Sequence, residues 1–120
     1  MIDVLDLSTH RVRLVTEPVD LRLGFDSLTF LLAGSYNLDI GFGTDYVVFV
    51  GKNYKKLRLI GLNGNQMVVL NSGLIRGTRK CLISFLEEAP PLCDLTAEEL
   101  DSYMKGQIVK PKSLSKESRA

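Results

Sequence analysis

The sequence predicts an α+β fold: one mainly antiparallel sheet of four to five strands with a helix near each end. Three patterns predict it. Alternating and β-branched apolar runs crowd the middle of the chain. An Asn-Gly pair between two of those runs is the strongest short signal for a hairpin. Apolar residues at helical spacing flank that block on both sides.

Arg11-Val12-Arg13-Leu14-Val15 alternates and reads as the first strand. Pro18 ends it, and Asp20 is placed to cap the next element. Phe25, Leu28 and Leu32 recur at helical spacing, so a short helix is expected from about residues 21–24 to 33, with Gly34 at its end. Gly41-Phe42-Gly43-Thr44 is a loop. Its GxG lacks the Lys-Ser/Thr of a phosphate-binding P-loop.

Tyr46-Val47-Val48-Phe49-Val50 is a strongly apolar strand, and Gly51-Lys52-Asn53-Tyr54 turns the chain. Leu57 to Leu62 returns. With Asn63-Gly64 as the turn, Leu59 pairs with Val68 and Leu57 with Leu70 on an apolar, core-facing side. Ile60 then pairs with Met67, and Arg58 with Val69, on a mixed side that includes Lys56. That side is expected to meet water or a partner, which makes Ile60, Met67 and Val69 candidates for a protein contact.

Arg79 to Leu86 reads as one more strand, with Cys81, Ile83 and Phe85 on one face, and Pro90-Pro91 breaks the chain. Thr96 and Glu99 form a capping box ahead of a helix whose apolar face is Leu100, Tyr103 and Met104. Gly106 stops it. Residues 1–109 are expected to form a single domain, and the polar tail 110–120 to be disordered.

A chain of 120 residues buries roughly two-thirds of its unfolded surface and so holds a core without staples. No apolar run is long enough for a membrane-spanning helix, and the N-terminus lacks a signal-peptide pattern. The expected location is the cytoplasm, with Cys81 and Cys93 as reduced thiols. Net charge is +1, but residues 46–86 contain seven Lys/Arg and no carboxylate. Those seven, Lys52, Lys55, Lys56, Arg58, Arg76, Arg79 and Lys80, are the candidates for phosphate contact, with Tyr54 as a stacking partner.

Catalytic and metal-binding patterns are absent. His10 is the only histidine, read as a solvated surface residue, and neither cysteine has a zinc-type spacing. Glu87-Glu88 and Glu98-Glu99 are sequence neighbours, which point apart. The central strands carry no acid for a two-metal nuclease, which would have to gather Asp20, Asp26, Asp39 and Asp45 instead. No cofactor is implied, and the oligomeric state stays open.

Val19-Asp20-Leu21-Arg22-Leu23-Gly24-Phe25-Asp26-Ser27-Leu28 resembles the opening V-D-M-R-K-G-F-D-G-L motif of TnpB, the small accessory protein of the insertion sequence 66 transposon family. (The RNA-guided nuclease of the same name is unrelated.) Further stretches resemble that family in the same order: Val48-Phe49-Val50, Lys55 to Ile60, Leu74 with Arg76-Gly77, Leu95 to Leu100, and Lys105 to Ile108. The likeness spans about residues 10–109. It departs at Leu62, where the family usually has Trp, at Leu23, where Lys is common, and at Ser72-Gly73, where it has Lys-Arg.

The resemblance implies a non-catalytic role in transposition beside a separate transposase. Contact with DNA and contact with that transposase are both implied; the rival reading is a metal-dependent nuclease or strand-transfer enzyme. The motif residues Asp20, Arg22, Gly24, Phe25 and Asp26 also have a structural reading. Arg22 and Asp26, four apart, are expected to pair on one helix face. Phe25 anchors the helix, and Gly24 permits close approach to a strand.

Overall fold

The computed structural model describes residues 5–81 and 90–110. They form a five-stranded mixed sheet with a helix on each face. The strands are β1 (Arg11–Val15), β2 (Asp45–Val50), β3 (Lys56–Asn63), β4 (Gln66–Gly73) and β5 (Leu92–Leu95), in the spatial order β4-β3-β2-β1-β5. All pairs are antiparallel except β1 with β2. Parallel neighbours need a long crossover. Here α1 (Phe25–Ser35) and a short 3-10 turn (Ile40–Phe42) supply it.

Period-2 alternation sorts the side chains into two cores. Val15, Val47, Phe49 and Ile60 meet Leu28 and Leu32 of α1 on one face. Val12, Leu14, Tyr46, Val48, Leu57, Leu59 and Val68 meet Leu100 and Tyr103 of α2 (Ala97–Met104) on the other. β2 lies at the centre, buried along its whole length, which explains the apolar run Tyr46–Val50 that follows Asp45. Leu28 and Leu32 are fully buried. Truncating either to Ala costs about 2–5 kcal/mol.

Several expectations are confirmed and others corrected. β1 and the capping box at Thr96 and Glu99 are as expected. The first helix starts later, at Phe25, with Gly24 as an uncapped N-cap. A Cβ on Gly24 would meet nothing within 4 Å, so close approach is not its role. Gly34 lies inside the helix, which stops at Tyr36, and Asn37 comes next at φ 52.

The hairpin turns at Gly64-Asn65, with Asn63 paired to Gln66, rather than at Asn63-Gly64. Gly64, at φ 59, takes the first central position, which suits a II′-type turn. Leu59 therefore pairs with Leu70 and Ile60 with Val69. The slip is two residues, so every side chain keeps its expected face.

β5 is a strand that the sequence does not predict, because Pro90-Pro91 reads as a break. Four residues suffice for it to pair with β1. Arg79 and Lys80 are not in a strand, and Cys81 makes only an isolated bridge with Val109. The rest of the strand expected there, and Glu87-Glu88, lie outside the described residues, as do 111–120 of the tail.

Candidate nucleic-acid interface

The stretch that opens with Val19 forms one wall of a groove. The Val19 N–H donates to the Val50 carbonyl at 2.9 Å, which lays this stretch along the end of β2. Asp20 then turns the chain. Its carboxylate accepts the Arg22 backbone N–H at 2.9 Å and the Arg22 Nη2 at 2.8 Å. Arg22 thus pairs with Asp20, two residues away, and not with Asp26. The reason is that the helix begins only at Phe25, so Arg22 and Asp26 are not one helical turn apart.

Arg58 secures the opposite wall. Its Nη1 donates to the Leu23 carbonyl at 2.6 Å and its Nε to Asn71 Oδ1 at 2.7 Å. One guanidinium therefore ties β3, β4 and the Asp20–Leu23 loop together. Its rigid fork makes this possible, and a lysine would reach one partner at a time. The open groove between the walls has a volume of about 730 Å³.

Four cations line this groove, Arg22, Lys52, Lys56 and Arg58, against the single carboxylate of Asp20. Arg22 is almost fully exposed, and Lys52 and Lys56 are also exposed. The Arg22 hydrogen bonds hold the Asp20 carboxyl well below the usual carboxylate range, and the Lys52 charge adds to this. The carboxylate stays ionised at neutral pH, and the groove keeps an excess of three positive charges, four minus one. Asn53, Asn71 and Ser72 add polar groups at its rim. Clustered cations on a groove attract phosphate or carboxylate at a range set by the Debye length, about 8 Å in physiological salt.

Of the seven expected phosphate contacts, Lys52, Lys56 and Arg58 meet in this groove. Lys55, Arg76 and Lys80 are exposed outside it. Arg79 is not a surface residue at all. It is 1% exposed, and its guanidinium donates to the Lys55, Tyr103 and Met104 carbonyls and to Ser72 Oγ. It satisfies the C-terminal carbonyls of α2, where a cation is favoured. Tyr54, at φ 60, accepts the Arg79 backbone N–H at its carbonyl and does not line the groove.

Of the expected partner-contact residues, Ile60 is fully buried under α1, while Met67 and Val69 are 62% and 41% exposed. α1 covers β3 at Ile60 but leaves β4 open. Phe25 packs half-buried against the α1 core, as its anchoring role requires.

His10 is half-buried rather than a fully solvated surface residue. Its ring stacks on Tyr46 at 4.2 Å and 7°, and its Nε2 lies 2.7 Å from the Leu62 carbonyl. Cys81 and Cys93 are buried thiols packed in the α2-side core. Asp39 caps the 3-10 turn through Gly41 N–H, and Asp45 accepts from Thr44 Oγ1. Among the described residues no three His, Cys, Asp or Glu side chains gather where they would hold a metal ion.

By fold and site the chain is a small α+β domain with a groove lined by four cations and one carboxylate. Residues 10–113 match the model of the IS66 Orf2 like protein family, and the chain belongs to that family. Membership carries a transposition-associated accessory role. No curated protein and no solved structure matches the chain. Among the described residues no helix is long and apolar enough to cross a membrane.

Proposed function

We propose that this chain is a non-catalytic accessory in DNA transposition that works by binding, with the groove of Arg22, Lys52, Lys56 and Arg58 as a loose site for the DNA backbone. The observation that carries this reading is the convergence of those four cations around one carboxylate. Ser72 and Gly73, which stand where the family pattern has Lys-Arg, both line the groove. Binding in this chain is accordingly weak, sequence-independent and steeply dependent on salt.

The test is a titration of labelled duplex DNA, monitored by fluorescence anisotropy from about 50 to 200 mM salt. Changing Lys52 and Lys56 together to Ala should lower the slope of log affinity against log salt by roughly 2, at about 0.9 per phosphate contact. No binding at the lowest salt, or an unchanged slope in the double variant, would reject the DNA site.

A protein contact, with the transposase of the same element as the expected partner, is favoured by a separate observation: Met67 and Val69 are apolar and exposed on the uncovered part of the sheet. Co-purification with the transposase, before and after Met67→Glu, tests it.

A further inference from the structure

We infer that β4 is a self-pairing edge, and that two copies of the chain join through it into one continuous sheet. The inference refines the protein-contact reading by naming the occupant of the Met67–Val69 face; it is independent of the DNA reading.

The two edges of the sheet differ. β5 has four residues, comes straight after Pro90-Pro91, and carries Asp94, whose carboxylate pairs with Arg13 at 2.8 Å and with Arg11 at 2.7 Å. Short length, proline and charge are the usual guards against strand addition. β4 has none of them. It runs for eight residues, Gln66 to Gly73, without a charge or a proline, and its whole length is in register with β3. Its outer side has no partner strand among the described residues. The four residues Gln66, Met67, Val68 and Val69 line a shallow groove along it.

A second copy suits this edge better than a charged strand does. A neutral strand offers an acidic or basic partner no countercharge, whereas two neutral strands meet without like charges opposed. The cations nearest β4 on this face are Lys56, paired with Gly73, and Arg58, paired with Asn71, both at its C-terminal end. Antiparallel pairing about Val68 leaves those ends apart and sets Met67 opposite Val69 of the second copy, twice over. Side chains keep their faces in such a pairing, so the two exposed apolar pairs cover each other. The chain flanking residues 82–89 stands at the opposite side of the sheet: Cys81 packs with Cys93 of β5, and the Pro90 carbonyl accepts from Thr16 beside β1. The two basic grooves then face the same side of a ten-stranded sheet.

The experiment is sedimentation velocity on the full chain over a concentration series, with wild type and two double variants. Wild type should sediment at twice the 13.4 kDa chain mass. Met67→Lys with Val69→Lys opposes like charges across the pairing and should give monomer, with unchanged circular dichroism because both sites are exposed. Met67→Glu with Val69→Lys opposes unlike charges and should restore the dimer. A monomeric wild type, or a Lys/Lys variant that still dimerises, overturns the inference. Transposase co-purifying with a monomeric wild type would overturn it too, while leaving the transposase contact standing.

Discussion

The ring of Tyr46 occupies the space that a side chain on Gly61 would need. The two residues are partners across β2 and β3, and a Cβ on Gly61 would come within 2.5 Å of Tyr46 Cδ1 and 3.0 Å of the Asp45 carbonyl. Neither obstacle yields easily, because one is backbone and the other a fully buried ring. The same ring stacks on His10, and its hydroxyl accepts the Asp6 N–H at 2.9 Å. A glycine in the middle of a strand thus gives the aromatic residue opposite it room to tie the N-terminal segment to the sheet.

Gly61→Ala should therefore destabilise the domain by about 1–3 kcal/mol, the usual cost of overpacking, although alanine has no quarrel with strand backbone. Urea denaturation measures it. The companion change Tyr46→Phe removes only the hydroxyl acceptor and should cost about 1 kcal/mol. An alanine variant as stable as wild type would show that the ring is free to move aside.

Arg79 holds three backbone carbonyls and a hydroxyl in place with one guanidinium. Arg79→Met keeps the volume and leaves those acceptors without their donor. A loss of about 3 kcal/mol or more is expected, since hydrogen bonds to a buried charge are the costly ones to break. Arg79→Lys should recover little of it, because an ammonium cannot span partners as far apart in the fold as Lys55 and Met104. If Arg79→Met instead weakens DNA binding at full stability, the residue belongs to the surface after all.

Asp20→Asn removes the single carboxylate of the groove and releases Arg22. DNA affinity at low salt should rise and the salt slope steepen by up to about 1, provided that Arg22 then reaches a phosphate. The sign of the shift sets the pH dependence. A carboxylate pKa depressed in the fold contributes stability above its ordinary value of 3.8 and loses it only as pH falls through the lower folded value. Asp20 should thus add no pH dependence to DNA binding between about pH 5 and 7. Comparing wild type with Asp20→Asn across that range checks it.

The buried thiol of Cys93 is pushed up, first by its hydrogen bond to Cys81 and then by burial; burial likewise raises the Tyr103 hydroxyl. Groups raised in the fold give stability that is complete below their ordinary values, 9.0 and 10.0, and fades as pH rises beyond them. Urea midpoints should be flat from about pH 7 to 8 and fall above about 9. A thiol reagent at about pH 8 should label neither cysteine until urea is added. Immediate labelling of the folded protein would contradict the burial of both.

What the sequence determined by itself rests on local spacing. The alternation in Arg11–Val15, the apolar run Tyr46–Val50, the Thr96–Glu99 capping box and the core-facing side of Leu57 and Leu59 were legible, because each depends on neighbours a few residues away. The candidate site was legible in half: Lys52, Lys56 and Arg58 stood out as charge, and Asp20 and Arg22 as a motif, but nothing local joined the two sets. Tertiary structure decided that, by laying Val19 against Gly51 and bonding Arg58 to Leu23. It also buried Arg79 and Ile60, paired β1 with β2 in parallel, and found a partner for the short β5. The physical reason is common to all of these. Whether a side chain meets water, and which strand lies beside which, depends on elements distant in sequence, and their packing energy outweighs the local preference of any one segment.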